Sequence, residues 1–222
     1  MTGMRRCTRV FEEGSQAARV AALMTCYNRR DTTIACLRRL MECGLPSNMS
    51  LDVIVVDDGS ADGTAAAILE SFPETTVIKG DGSLFWNRGM YKAFEHALGL
   101  DYDFYLWLND DTQLKMGAIE SLLSAYFSVL NDTGDDAIIV GSVSDPTTGA
   151  HTYGGLVRTS GFRRLNFAPL KPAEQPKICD AINGNCVLIP RQVAEKVGNL
   201  DWEFEHAMGD YDYALRAKAL GF

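Results

Sequence analysis

Short apolar runs recur along the first half of the chain, each followed by a polar turn and then by an apolar stripe at helical spacing. Val20-Ala21-Ala22-Leu23-Met24 reads as a first buried strand. Behind it, Ile34, Leu37, Leu40 and Met41 share one face of a helix that Asp31 or Thr32 would cap and Gly44 would end. Leu51-Asp52-Val53-Ile54-Val55-Val56 gives a second strand, and Asp57-Asp58-Gly59-Ser60 a turn. A second helix is expected from Thr64 to Phe72, stopped near Pro73, then a short strand at Thr76-Val77-Ile78. Met90, Ala93, Phe94 and Ala97 mark a third helix, Phe104-Tyr105-Leu106-Trp107-Leu108 a fourth strand, and Ile119, Leu122, Leu123, Tyr126 and Phe127 a fourth helix. Strands alternating with helices predict an α/β fold with a Rossmann-like, mostly parallel sheet flanked by helices.

After residue 135 the pattern changes. Ala137-Ile138-Ile139-Val140-Gly141 reads as a strand and Asp145-Pro146-Thr147-Thr148-Gly149 as a turn. Short strands are expected over 151–157, 162–168 and 182–189 with no helices between them, so the C-terminal portion should be mixed. Pro190 starts a short helix to Val197. Gly209-Asp210-Tyr211-Asp212 opens a last helix through Ala219, with Leu215 and Ala219 expected to face inward. Residues 1–18 are polar and weakly patterned and should be poorly ordered. Residues 19–222 read as one domain without a linker. The chain stops at Leu220-Gly221-Phe222, directly after a helix-like segment, and so reads as truncated at its C-terminus.

Composition narrows the function classes. The chain has 222 residues, 46% hydrophobic and 23% charged, which supports a sizeable buried core. Its formal net charge of −8 argues against a broad nucleic-acid surface, while a local Lys/Arg pocket for phosphate remains compatible. Six cysteines show no Cys-x-x-Cys pair and no zinc spacing, which fits a reduced, cytoplasmic compartment. No signal peptide and no apolar run long enough to cross a membrane is visible, which leaves peripheral contact with the inner face of a membrane open.

The chemistry concentrates at predicted strand ends. Asn109-Asp110-Asp111 follows five apolar residues, so two adjacent carboxylates emerge where a buried strand leaves the sheet. Like charges this close repel, and a hard cation shared with a second anion would make them tolerable. Mg²⁺ is held in this manner, by one or two carboxylates plus substrate phosphates. A polar turn in which Asp110 or Asp111 caps the next helix is the alternative. Thr25-Cys26-Tyr27-Asn28 and Asp57-Asp58 occupy equivalent positions after the first and second strands. Ligands of parallel α/β sheets bind outside the carboxyl ends of the strands, which favours one shared site over three independent turns. A dinucleotide-binding oxidoreductase is excluded, because Cys26-Tyr27-Asn28-Arg29 has no Gly-x-Gly-x-x-Gly. A receiver- or phosphatase-like domain with a Mg²⁺ pocket at Asp57-Asp58 stays open, although no Lys-bearing final strand supports it.

Four blocks in order carry a more specific pattern. They are Met24-Thr25-Cys26-Tyr27-Asn28-Arg29, then Val55-Val56-Asp57-Asp58-Gly59-Ser60-Ala61-Asp62-Gly63-Thr64, then Leu106-Trp107-Leu108-Asn109-Asp110-Asp111-Thr112, and finally Val197-Gly198-Asn199-Leu200-Asp201-Trp202-Glu203-Phe204 with Gly209-Asp210-Tyr211-Asp212-Tyr213-Ala214-Leu215-Arg216-Ala217. From about residue 20 onward the chain resembles the family 2 glycosyltransferases of GT-A fold, and among them rhamnosyltransferase-like bacterial members. Gly82-Ser83-Leu84-Phe85-Trp86-Asn87-Arg88-Gly89-Met90 is similar to the family's donor-side loop.

The resemblance implies transfer of a sugar, with inversion, from a nucleoside-diphosphate donor, UDP- or dTDP-linked, to a hydroxyl of a glycan or lipid-linked glycan. It implies that Thr25, Tyr27, Asn28, Asp57 and Asp58 form the nucleoside side of the donor site, with Asp57 only orienting the turn as its alternative. Asp110 would lie near ribose or sugar, and Asp111 would be the ligand of Mg²⁺ or Mn²⁺. Arg88 would reach a phosphate or stay on a solvated helix face. Asp210 would be the general base, with Asp212 as runner-up. Many members carry Glu-Asp where this chain has Gly209-Asp210. Trp86, Trp202, Asn183 and Asn185 are candidates for sugar or acceptor contact, the indoles by stacking and the amides because each both donates and accepts. A domain that binds nucleotide sugar without turning it over is a further reading.

Overall fold

The computed structural model describes residues 17–159 and 166–222. In chain order these form β1 (Ala18–Cys26), α1 (Arg30–Cys43), β2 (Met49–Asp57), α2 (Thr64–Ser71), β3 (Thr76–Lys79), α3 (Phe85–Leu98), β4 (Phe104–Leu108) and α4 (Ala118–Thr133). Seven strands follow: β5 (Ile139–Val140), β6 (Val143–Ser144), β7 (His151–Tyr153), β8 (Gly155–Arg158), β9 (Phe167–Pro169), β10 (Ala181–Ile182) and β11 (Cys186–Pro190). Helices α5 (Arg191–Val197) and α6 (Gly209–Ala219) complete the chain. The expected poorly ordered segment lies outside the described residues up to position 16, and Ala18 already belongs to β1. The strand expected over 162–168 lies largely outside them too, with β9 at its end.

The central sheet has the order β3-β2-β1-β4-β11-β5. β1 runs parallel to β2 and β4, and β2 parallel to β3. β11 enters antiparallel to β4, pairing Cys186 with Leu108 and Pro190 with Phe104. Two small antiparallel sheets, β10-β8-β9 and β6-β7, lie outside this frame. The chain therefore reverses its direction of growth at β1, which opens a crevice between the carboxyl ends of β1 and β4.

The apolar runs of β1, β2 and β4 are buried on both faces and split by alternation. Val20, Ala22 and Met24 of β1, Val53 and Val55 of β2, and Phe104, Leu106 and Leu108 of β4 pack with Leu37 and Leu40 of α1 and Ile119 and Leu123 of α4. The alternate residues Ala21, Leu23, Ile54, Val56, Tyr105 and Trp107 pack with Met90 and Phe94 of α3, Val193 of α5 and Tyr213 of α6.

Several local expectations give way to tertiary contacts. Neither Asp31 nor Thr32 caps α1: the helix begins at Arg30 with no side-chain cap from Arg29, and the Arg30 amide donates to Asp62 Oδ2 from another turn at 3.0 Å. Met41 is exposed, because Thr33, Cys36, Leu37 and Leu40 form the covered stripe. In α6 the inward residues are Tyr213, Ala214 and Ala217, which leaves Leu215 partly covered and Ala219 at the surface. The strand expected over 182–189 is two strands, broken at Asn183-Gly184-Asn185. That break lies beside the carboxyl end of β4, where the Asn109 amide donates to the Asn185 carbonyl at 3.1 Å and the Thr112 hydroxyl to the same carbonyl at 3.2 Å.

Candidate active site

The crevice gathers two pairs of groups at the carboxyl edge of the sheet. The first is the carboxylate pair after β4. Asp110 is buried and Asp111 half-exposed, and the guanidinium of Arg29, in the turn after β1, spans both. Arg29 Nη1 donates to Asp110 Oδ1 at 3.1 Å and Nη2 to Asp111 Oδ2 at 2.8 Å. Thr33 Oγ1, on the first turn of α1, reaches Asp110 Oδ2 at 3.4 Å. Burial pushes the Asp110 carboxyl up to about 6, against the pull of Arg29. Two carboxylates thus converge on one cation, a donor set that fits a hard divalent ion whose remaining ligands come from a diphosphate. Among the described residues no group of three or more His, Cys, Asp or Glu side chains does so. Burial also pushes the Cys26 and Cys36 thiols up, Cys36 to about 12, so neither is a nucleophile at neutral pH.

The second pair is Asp210 and Gly184. The Gly184 amide donates to Asp210 Oδ2 at 2.9 Å, and the Tyr211 amide to Oδ1 at 2.9 Å. Burial raises the Asp210 pKa against these two bonds. A carboxylate held without a cationic partner and lifted above its ordinary range suits a general base. Asp212 is differently placed. Its Oδ2 accepts from Arg216 Nε at 2.7 Å, and Arg216 also donates to the carbonyls of Val197 and Asn199. Asp212 is committed to tying α6 to the loop after α5.

Trp86 stands between the pairs. Its Nε1 donates to Asn109 Oδ1 at 2.8 Å, next to Asp110. Its ring lies edge-on to Trp107 at 6.3 Å between centroids. It also fills the space above Gly184, where an added Cβ would meet the indole at 2.4 Å. Trp202 is elsewhere, 39% exposed, packed edge-on to Tyr91 and beneath the Arg88 guanidinium. The two indoles therefore have separate neighbours instead of sharing one stacking surface.

Other sequence candidates act on the backbone. Asp58 is buried, with Oδ1 accepting from the Gly82 amide at 2.9 Å and Oδ2 from the Leu84 and Phe85 amides at 2.9 and 3.1 Å. It fastens the loop before α3 and satisfies donors at that helix start. Asp57 Oδ1 accepts from the Ser60 amide at 3.0 Å, the turn-orienting role. Asn28, at φ 51°, accepts from the Ala61 amide at 2.7 Å while its own amide donates to Ser60 Oγ at 2.8 Å, locking the first two turns together. Thr25 is buried against Gly89, whose missing Cβ would stand 2.1 Å from its Oγ1. Tyr27, at 52% exposure, is the one of this group with an open ring face. Arg88 is engaged by Glu205 at 3.0 Å and by the Trp202 carbonyl at 3.1 Å. Asn183 bonds Gly154, between β7 and β8, twice: its amide donates to the Gly154 carbonyl at 3.0 Å and its Oδ1 accepts from the Gly154 amide at 3.4 Å, while Asn185 acts through its carbonyl at the end of β4.

Sequence reasoning quoted Arg29, Asn87 and Asn109 inside its motifs without giving them a role, and singled out neither Thr33 nor Gly184. Arg29 carried a signal, since a cation in the turn after β1 faces the acid pair across the crevice. Asn87 carried none. It is fully buried, its Nδ2 donates to the carbonyls of Asp201 and Phe204 at 2.7 and 2.8 Å, and its Oδ1 occupies the space where a side chain on Gly209 would go. That explains why this chain carries Gly-Asp at 209–210. Among the described residues three non-glycine residues hold positive φ, Asn28, Phe85 and Met208, and each adjoins one of these turns, a placement typical of strain kept at a working site.

Solved structures share the fold. The mannosyltransferase PcManGT from Pyrobaculum calidifontis, in complex with GDP-Man and Mn²⁺, aligns over 92% of this chain and 53% of its own with TM-score 0.60 and 18% identity. S. aureus TarS 1-349 aligns over 90% of this chain and 55% of its own with TM-score 0.61 and 13% identity. Its complex with UDP-GlcNAc gives 0.60 and 13%, over 90% and 53%. The chain spans about half the length of these proteins. No curated protein matches it in sequence. The fold is of the GT-A type, a mostly parallel sheet with flanking helices. The family model described as Glycosyl transferase family 2 matches residues 21–198, from β1 through both acidic turns to the end of α5, and the chain belongs to that family.

Proposed function

We propose that this protein is an inverting glycosyltransferase that moves a sugar from a UDP- or dTDP-linked donor to a hydroxyl of a glycan or lipid-linked glycan. The observation that carries the reading is the convergence of Asp110 and Asp111 on the Arg29 guanidinium, at the switch point of the sheet. Family membership supports it, as do neighbours of the same fold that bind GDP-Man with Mn²⁺ or UDP-GlcNAc. A dTDP donor would match a rhamnosyltransferase-like subtype. No helix among the described residues is long and apolar enough to cross a membrane.

In this mechanism Tyr27 presents its exposed ring to the base. Asp58 acts from beneath, by fixing the loop of Gly82, Leu84 and Phe85. Asp111, with Asp110 beside it, would hold Mg²⁺ or Mn²⁺, which would supply charge neutralisation for the leaving diphosphate. Asp210, ionised and held by the Gly184 and Tyr211 amides, takes the proton of the acceptor hydroxyl as that oxygen attacks the anomeric carbon. Attack opposite to departure inverts the centre.

The test is calorimetric titration with UDP, dTDP, GDP and ADP, each with and without Mn²⁺. Metal-dependent binding of UDP or dTDP is expected. Metal-independent binding, or binding of none of the four, would overturn the donor site.

A further inference from the structure

Trp86 touches a neighbour of each pair in the crevice: Asn109, which precedes Asp110, and Gly184, whose amide holds Asp210. One edge is fixed: Nε1–H donates to Asn109 Oδ1 at 2.8 Å, at the residue preceding Asp110. The same edge continues to Cζ2 and Cη2, which lie against Gly184, so closely that even a methyl group there would meet them at 2.4 and 2.5 Å. The Gly184 amide is the donor that holds Asp210 Oδ2 at 2.9 Å. Asn109 and Asn185 are joined separately by the backbone bond at 3.1 Å. The wedge is rigid, because the Trp107 ring backs it at 6.3 Å and Trp107 is itself fully buried. An indole whose one edge both donates a hydrogen bond to Asn109 and packs closely on Gly184 ties those two residues together.

We propose that Trp86 is a positioning residue, which fixes the metal-binding end of β4 relative to the general base by holding Asn109 through Nε1–H and by packing Cζ2 and Cη2 against Gly184, whose amide holds Asp210. This rests on the glycosyltransferase reading for its kinetic meaning and on geometry alone for its structural meaning. Displacing a reacting group by about 1 Å costs on the order of 100-fold in rate, so a shortened wedge should act on kcat. It should leave donor affinity alone, since the indole touches neither Asp111 nor Tyr27 among the contacts described.

The variants are Trp86→Phe, which keeps a ring but loses Nε1–H and the outer edge, Asn109→Ala, which removes the acceptor without disturbing the core, and their double. Steady-state kinetics on the full chain should show kcat down roughly 10- to 100-fold in each single variant, with donor KM within about twofold. The double should be no worse than the poorer single, because both cut one link. NMR titration of the Asp210 carboxylate supplies a readout that needs no turnover. Trp86→Phe should move its pKa down, as water gains access to a group whose pKa is raised chiefly by burial. Raised KM at unchanged kcat, multiplicative losses in the double, or an Asp210 titration that does not move would each overturn the proposal. Wild-type protein that turns over no donor, while Asp210 still responds to Trp86→Phe, would sink the enzymatic reading and leave the clamp standing.

Discussion

Gly209 offers the sharpest test of the packing under the site. An alanine Cβ there would stand 1.6 Å from Asn87 Oδ1 and 2.6 Å from its Cγ. Asn87 cannot turn aside cheaply, because it is fully buried and both its amide hydrogens are used, on Asp201 O and Phe204 O. Losing two such bonds costs about 1 kcal/mol each, and residual overpacking adds at least about 1 kcal/mol more. Against this stands helix propensity. Gly209 begins α6 and does not hold a positive φ, so alanine should gain up to about 1 kcal/mol there. The clash wins, and Gly209→Ala should destabilise the chain by about 2 kcal/mol net. Equilibrium urea unfolding of wild type, Gly209→Ala, Asn87→Ala and the double variant measures it, as a shift in midpoint at constant slope. In the double, the new methyl group occupies the space the amide left, so the two changes should couple favourably by about 1.5 kcal/mol. Strict additivity, or a Gly209→Ala variant as stable as wild type, would refute this account of the missing Glu side chain at 209.

Asp111→Asn should abolish metal-dependent nucleotide binding in the calorimeter while leaving the fold intact, since its side chain is 44% exposed. Asp210→Asn should bind nucleotide as wild type does and lose transfer. In wild type the acid limb of kcat against pH should fall above the ordinary carboxylate range, because burial raises the pKa of a group that must be ionised to act. Asp110 carries a stability signature. Its folded value, about 6, lies above the ordinary 3.8, so the folded metal-free chain binds the proton more tightly and loses stability as pH rises through this interval. The roughly 2-unit difference corresponds to about 3 kcal/mol, and Asp110→Asn should flatten that slope in chelator-treated protein, with an unchanged slope counting against the burial argument.

The parallel half of the fold was legible because strands buried on both faces are continuous apolar runs, as in β1, β2 and β4. The location of the site followed from the same pattern, since the polar clusters fall at equivalent strand ends. Less legible was what each polar residue does there. Asp58 has the chemistry to meet a ribose hydroxyl, yet both its oxygens are taken by amides of a loop 24 to 27 residues away. The pairing of Arg29 with Asp110, 81 residues on, and of Trp86 with Gly184 depends on strand order, which periodicity does not encode. Met41, Leu215 and Ala219 were misread for a related reason: the stripe that faces the sheet is chosen by the neighbouring element, here at the expense of one apolar residue in α1 and two in α6. The strands after β5 have two to five residues each, too short for alternation to speak.

The antiparallel seam between β4 and β11 has a consequence for biosynthesis. Strands β3, β2, β1 and β4 all lie within the first 108 residues, so this part of the sheet can pair as it leaves the ribosome. The outer edge of β4, however, waits for Cys186–Pro190. At ordinary elongation rates that delay of roughly 80 residues lasts about 4–16 s, during which a strand of five apolar residues has an unpaired edge. Such an edge is a template for wrong partners. The strand that finally covers it follows directly on Asn185, so closing that edge also brings the Asn185 carbonyl to the Asn109 amide and the Thr112 hydroxyl beside the acid pair.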